Sequence, residues 1–458
     1  MKYRARKTAV SGRLESAQAL LALTFAAAIA VGTLLLMLPV SQTRDDVSLL
    51  DALFTTTSAV CVTGLTVVDT ATRFTHFGQL VILLLIQAGG LGIMTFAALV
   101  LHISGQRMSL QADLAVQDSF FLEDVGNRYR QLLGGMVGLV FVVEAAGALL
   151  LWITTPSRGS LGLDLWAAVF HSVSAFCNAG FSVWTENLAL LRTNAPALTV
   201  VMLLIVMGGL GHAVLIELWD RALARLGWRK LNRPRFMPLH VIVVLRATAI
   251  LVFGGALALL AVDWLTESRG EHLDLLNALF QSVSARTAGY NSVNIGLLPL
   301  GSLTVLVGLM FIGGSPGSCA GGIKTTTAAV WLGKLRSRLL GRKEVSLMHH
   351  TVPDSVVHRA GLIIGLSVLW NVAGLLLLTL TEQGVADAHM EHLLFEQVSA
   401  FGTVGLSTGI TPSLSAAGKL WIVATMFFGR VGPLTLATWM IHREMLKIRF
   451  PNGRIMIG

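Results

Sequence analysis

Four short segments stand out by what their residues can do: VTGL (62–65), NAGF (178–181), TAGY (287–290) and TVGL (403–406). None offers a carboxylate, an imidazole or a thiol. Their chemistry is that of the backbone. Each holds one glycine, Gly64, Gly180, Gly289 or Gly405, preceded by Val62 and Thr63, Asn178 and Ala179, Thr287 and Ala288, or Thr403 and Val404. Glycine takes positive φ at least cost, so such a loop can turn its carbonyls to one side. Four such loops around one axis would aim carbonyl oxygens at a common point. Carbonyl rings of that kind replace the hydration shell of a permeating alkali cation.

A second constellation lies in FIGGSPGSCAGGIKTTT (311–327). Gly313, Gly314, Ser315, Pro316, Gly317, Ser318, Gly321 and Gly322 interrupt an apolar run, and Lys324 follows. The apolar stretch 300–312 covers about 20 Å at about 1.5 Å per residue, too short for a hydrocarbon core of about 30 Å. The helix is therefore predicted to break at membrane depth, where irregular backbone must be held by protein or line a water-filled path. Placed below the carbonyl loops, this segment reads as a gate. Arg430, in FFGRVGPLTL (427–436), sits within a further apolar run. An unpaired cation there costs roughly 2.5 kcal/mol or more. Its planar fork of donors suits a latch on the carbonyls of the glycine-rich loop; an arginine paired only for packing is the alternative. Lys324 either reaches toward the cytoplasm along its aliphatic stem or forms a positive barrier below the loops.

These residues need a scaffold, and the chain repeats one. FTTTSAVCVTGL (54–65), FHSVSAFCNAGF (170–181), FQSVSARTAGY (280–290) and FEQVSAFGTVGL (395–406) share an initial Phe, Ser-Ala four residues on, and a final Gly with a large apolar residue. The glycines are spaced by 116, 109 and 116 residues. Internal repetition at near-constant spacing decides the architecture before any local reading. A long apolar segment precedes each copy (about 17–40, 131–154, 239–262 and 358–380) and another follows (about 77–103, 196–219, 298–335 and 418–441). The short amphipathic stretch between them is too short to span and reads as a re-entrant half-helix. The expected fold is an all-α integral membrane protein: four helix–pore-loop–helix repeats, eight spanning helices, around a central pore, like a potassium channel. The expected segments are 1–16 (cytoplasmic), 17–104, 131–222, 239–338 with its broken second helix and intramembrane loop 313–323, 357–442, and the cytoplasmic tail 443–458.

Composition agrees. The 458 residues are 54% hydrophobic and 13% charged, against roughly 25% charged in soluble domains. The net charge of +9 is concentrated in short segments on one side, at the N-terminus, 221–235, 334–343 and the tail. The opposite loops carry Asp and Glu. This is a positive-inside pattern, with both termini cytoplasmic and at most a secondary hold on anionic membrane lipids; no nucleic acid is implied. Cys61, Cys177 and Cys319 form no disulfide framework and read as small side chains. No phosphate-cradling loop or metal-ligand spacing appears, so no enzyme is expected. Glu144, within a helix, and Arg286, in the third loop, are expected to be a buried pair bracing the pore, with Glu144 as a proton-coupling site the alternative. His171, Gln281 and Glu396 each follow the repeat Phe, where the first copy has Thr55; they read as helix-capping and interhelix hydrogen-bonding residues.

The four loops in series, with the glycine-rich break, resemble the Trk/Ktr/HKT superfamily of potassium transporters over about residues 15–458. With no helix pair before the first repeat, the chain resembles most the KtrB-type membrane subunit of bacterial Ktr systems. The resemblance implies K+ uptake across the cytoplasmic (inner) membrane, K+ held at the filter carbonyls, and Na+ as a second or coupling ion. It also implies a homodimer with one pore per subunit, fed by a cytosolic RCK/KTN-type regulatory ring like KtrA. ATP/ADP or NAD would bind that partner, and no cofactor is covalently attached to this chain. Glycine at all four filter positions goes with K+ preference in this superfamily, and serine at the first with Na+ passage. An ion-coupled secondary transporter of a small cation is the alternative, with midplane sites on broken helices; there inverted repeats would be expected, whereas these copies share one direction.

Overall fold

The computed structural model describes residues 17–44, 46–92, 129–157, 160–227, 236–266, 272–385 and 389–432. The segment 1–16, residues 93–104 of the first repeat and the tail 443–458 lie outside the described residues. The elements are almost all helical. In chain order they are α1 (Ala17–Leu36), α2 (Leu49–Val60), α3 (His76–Gly90), α4 (Tyr129–Thr154), α5 (Leu161–Phe176), α6 (Ala195–Leu210) and α7 (His212–Arg225). They continue with α8 (Leu239–Thr266), α9 (Leu275–Ser284), α10 (Leu300–Phe311), α11 (Thr325–Leu339), α12 (Asp354–Thr381), α13 (Met390–Gly402) and α14 (Ala416–Val431). One two-residue antiparallel hairpin pairs Ser346–Leu347 with His350–Thr351.

The half-helices α2, α5, α9 and α13 carry the repeated signature. Three begin at a side-chain cap: Ser48 accepts from the Asp51 amide at 3.1 Å, Ser160 from Leu163 at 3.3 Å, and Asp274 from Asn277 at 2.9 Å. Each cap satisfies one of the amides a helix start leaves unpaired. The repeat phenylalanines, Phe54, Phe170, Phe280 and Phe395, are wholly buried. They anchor the short helices in the bundle, because a half-helix alone buries too little to stand.

Packing closes the repeats on themselves. Each half-helix lies on the first helix of its own repeat: α2 on α1, α5 on α4, α9 on α8, α13 on α12. Each second helix then packs on the half-helix of the next repeat: α3 on α5, α6 on α9, α10 on α13, and α14 back on α2. The fourth repeat thus meets the first.

Residues 93–104 and 433–442, which complete the second helices of the first and fourth repeats in the expected scheme, lie outside the described residues. Among the described residues, three helices are long and apolar enough to cross a membrane alone: Gly134–Thr154, Leu239–Thr266 and Asp354–Thr381. The pair α6 and α7 passes together, bent by 110°. Only the third of the second helices was expected to break, yet α6 turns into α7 at Gly211 (φ 89°). At Gly211 a Cβ would lie 2.6 Å from the Pro316 carbonyl oxygen, so the turn tolerates no side chain.

Replacing Phe170 with Ala removes a fully buried ring packed beside Trp166 and His171. The expected loss is about 3–5 kcal/mol, read as a lowered thermal midpoint of the detergent-solubilised protein.

Candidate functional site

Each half-helix ends in a loop with the same backbone. Val62, Asn178, Thr287 and Thr403 have φ of 56°, 59°, 71° and 48°, and the glycines two residues later have 93°, 68°, 73° and 92°. The sequence pointed to one left-handed residue per loop; the structure has two, separated by Thr63, Ala179, Ala288 or Val404. A left-handed L-residue costs roughly 1–2 kcal/mol, and persists where its surroundings over-determine it. The serine of the repeated Ser-Ala pair supplies that constraint. The amides of Thr63, Ala179, Ala288 and Val404 donate to the carbonyls of Ser58, Ser174, Ser284 and Ser399 at 2.7, 2.7, 2.9 and 2.8 Å. The serine hydroxyls add a second tie. Ser58 and Ser399 accept from the Gly64 and Gly405 amides at 3.0 and 3.1 Å. Ser174 donates to the Phe181 carbonyl at 2.9 Å, and Ser284 to that of Tyr290. These serines lay in the repeat signature, but only the fold gives them this role.

The four loops meet. A Cβ on Gly64 would stand 3.1 Å from the Gly180 Cα; one on Gly180, 3.0 Å from Gly289; one on Gly289, 3.0 Å from Gly405; one on Gly405, 3.0 Å from Gly64. In each case it would also overlap the carbonyl oxygen before the next glycine: that of Ala179, Ala288, Val404 or Thr63. Side-chain bonds join neighbouring loops, with the Tyr290 hydroxyl donating to the Phe181 carbonyl at 3.0 Å. Asn178 stabilises its own loop. With its amide turned so that nitrogen donates to the Ala175 and Ile205 carbonyls at 3.1 Å each, its oxygen faces the Thr287 hydroxyl.

The glycine-rich segment lies directly against this ring. α10 stops at Phe311 and α11 starts at Thr325. Between them the Gly313 amide donates to the Ile323 carbonyl at 2.9 Å and the Thr325 amide to that of Gly314 at 3.0 Å, closing the loop at its neck. A Cβ on Gly313 would come 3.3 Å from the Thr287 methyl, one on Gly322 3.1 Å from the Gly402 Cα, and one on Gly321 would overlap Thr403. The loop hangs on the breaks of the other repeats. The Ser315 and Cys319 amides donate to the Gly209 and Gly208 carbonyls at 3.0 and 3.3 Å. Ser318 folds onto the Ser315 carbonyl at 2.6 Å, and Ser315 meets Thr325 at 3.1 Å. The Gly317 carbonyl, next to Pro316, accepts from both the amide (3.0 Å) and the Nδ1 (2.7 Å) of His212. Arg430 donates through Nη1 to the Cys319 carbonyl and through Nη2 to that of Gly89. One side chain thus ties the loop to the first and fourth repeats. Lys324 Nζ turns back onto the Ala320 carbonyl. Sequence reasoning missed His212; its place after GGLG (208–211), parallel to the glycines at 313–314, was the available signal.

The pair Glu144–Arg286 does not form. Glu144 accepts from Gln87 Nε2 at 3.3 Å and lies 3.9 Å from the Cys177 thiol, while Arg286 Nη2 reaches the Gly313 carbonyl at 3.5 Å. The physical reason is placement: α4 packs on α5 and α6, which puts Glu144 beside Gln87 and Cys177, whereas Arg286, after α9, lies against the Gly313 carbonyl. Cys177 Sγ lies 3.7 Å from Gln87 Oε1 beside Glu144, the Cys319 carbonyl accepts from Arg430, and all three cysteines are buried.

A family model described as TrkH, cation transport protein, matches residues 3–446. The chain belongs to the TrkH family of cation transport proteins. It is therefore a transporter of the membrane and not an enzyme. It is 37% identical over 449 residues to the Ktr system potassium uptake protein B of Bacillus subtilis, covering 96% of each chain. It is 34% identical to the potassium/sodium uptake protein NtpJ of Enterococcus hirae, covering 100% of this chain and 99% of that one. The crystal structure of the potassium transporter TrkH from Vibrio parahaemolyticus shares the fold, with a TM-score of 0.69 at 18% identity over 92% of this chain and 83% of that one.

Changing His212 to Ala removes the imidazole donor from the Gly317 carbonyl. The loss of about 1 kcal/mol for one hydrogen bond corresponds to roughly five-fold faster amide exchange across residues 315–320, measured by hydrogen–deuterium exchange. Exchange unchanged there would show that His212 does not hold the loop.

Proposed function

We propose that the ring of four loops is a K+ selectivity filter, and that this TrkH-family chain takes up K+ across the cytoplasmic membrane as the membrane subunit of a Ktr-type system. The observation that carries this reading is the closed contact of Gly64, Gly180, Gly289 and Gly405, each against the carbonyl of the next loop. Two left-handed residues per loop orient successive carbonyls toward the axis, where they substitute for water around a cation. Each half-helix ends at the ring with its partly negative terminus toward the ion. K+ is the substrate, coordinated by backbone oxygens of residues 62–64, 178–180, 287–289 and 403–405. With a single glycine per loop, discrimination against Na+ is real but incomplete, in keeping with relatives named for both potassium and potassium/sodium uptake.

The loop 313–322 serves as the gate, with Arg430 as its latch, and Lys324, drawn onto Ala320, adds a positive charge beside it. In this reading the four repeats give eight membrane crossings around the pore, the helices being broken at their glycines, with both termini cytoplasmic. The working assembly is a homodimer driven by a cytosolic nucleotide-binding ring of the RCK/KTN type, which binds ATP/ADP or NAD and moves the helices that hold the loop.

The test is ion flux in liposomes, with and without the regulatory ring. Wild-type protein is expected to prefer K+ over Na+, and Gly64→Ser to reduce that preference several-fold. Equal K+ and Na+ uptake in the wild type, unchanged by Gly64→Ser, overturns the filter assignment. Deleting residues 314–321 is expected to raise flux and weaken its dependence on the ring; unaltered, still regulated flux would remove the gate assignment.

A further inference from the structure

The position after each repeat phenylalanine holds Thr55, His171, Gln281 or Glu396, all buried. In three repeats this side chain bonds the residue eleven positions later, on the strand leaving the filter. His171 Nε2 meets Ser182 Oγ at 2.9 Å, Gln281 Nε2 donates to Ser292 Oγ at 3.4 Å, and Ser407 Oγ donates to Glu396 Oε1 at 2.5 Å. The eleven-residue register survives in the third repeat, although its Phe-to-Gly interval is one residue shorter. Its partner serine therefore stands three residues past the glycine rather than two. The helix-to-strand contact is what the repeats keep, at the expense of loop length. In the first repeat Thr66 stands at the matching place, but the buried Thr55 hydroxyl has no partner.

The four braces differ in strength. His171 Nδ1 lies 2.7 Å from the Ala167 carbonyl, which only accepts, so the proton is on Nδ1 and Nε2 accepts from Ser182. Gln281 makes one long bond. Glu396 makes three: to Ser407 Oγ, to the Thr408 amide at 3.2 Å and to Thr411 Oγ1 at 2.9 Å. The two hydroxyl oxygens lie 2.9 Å apart, each with its proton on Glu396, and the Gly409 amide donates to Ser407 Oγ at 2.9 Å. Among the described residues no ion pair is formed to Glu396. A buried carboxyl group is tolerated only when its polar atoms are hydrogen-bonded.

We propose that Glu396 is a positioning residue for ion discrimination: it fixes the strand 407–411 to the half-helix α13 and so holds the filter loop Thr403–Gly405 at the spacing that favours K+. His171 and Gln281 do the same for their loops with less force, and the unbraced first loop around Gly64 is the compliant one. The inference rests on the filter reading above.

Glu396→Ala removes every acceptor, Glu396→Gln keeps one oxygen, and Ser407→Ala removes a single donor. In liposomes the K+-to-Na+ preference is expected to fall most for Glu396→Ala and least for Ser407→Ala, by roughly five-fold for each hydrogen bond lost. The K+ concentration for half-maximal flux should rise while the maximal rate is kept. Glu396→Asp should restore part of the preference. If Glu396→Ala does not reach the membrane, Glu396→Gln and Ser407→Ala decide. Normal abundance with an unchanged ion ratio in both would reduce the brace to packing. Gly64→Ser is measured in parallel: a shift there without one in the brace variants defeats only this inference, and no shift in either defeats the filter reading itself.

Discussion

A methyl group at any of the four ring glycines would occupy the space of the next loop's carbonyl oxygen. That contact sets the diameter of the ring and fixes the four repeats relative to one another. Backbone at membrane depth has no water to fall back on, so each loop must be satisfied internally or by its neighbours. The serine of each Ser-Ala pair meets part of that demand from within the repeat. The next glycine, a bare Cα, meets the steric part from outside it. The rest of the bundle, from the buried repeat phenylalanines to the closure of α14 on α2, brings these loops within reach.

The second layer of the structure is built from broken helices. Gly211 turns α6 into α7 where an unbroken helix would have run past the ring. The freed carbonyls of Gly89, Gly208 and Gly209 become acceptors for Arg430, Cys319 and Ser315. The glycine-rich loop is therefore held by the interruptions of the other three repeats. His212 and Arg430 grip it from opposite sides, one through a neutral ring or its protonated form, the other through a fixed charge.

Much of this was legible in the residues. The period of the FxxxSA…G signature announces four copies, and the glycine at the end of each marks where the chain must turn. The proline and five glycines at 313–322 cannot continue a helix, so its break could be read directly. Arg430 in an apolar run could only be a paired or latching cation. Other features were not legible because they depend on distance between repeats. Glu144 and Arg286 were matched by charge, but each found a partner elsewhere, Gln87 and the Gly313 carbonyl. The left-handed conformation of Val62, Thr287 and Thr403 runs against their β-branched side chains; nothing local proposes it.

By itself the sequence determined the repeat, the loop glycines and the place of the glycine-rich break, because these follow from short-range sterics and hydropathy. Only the tertiary structure decided which residues face one another: the cyclic contact of the glycines, the clamp of His212 on Gly317, the reach of Arg430 to the Cys319 and Gly89 carbonyls, and the eleven-residue brace made in three repeats and left open in the first. The physical reason is that hydrogen bonds and steric contacts act within about 3–4 Å, and residues hundreds of positions apart come that close only after the ring has closed.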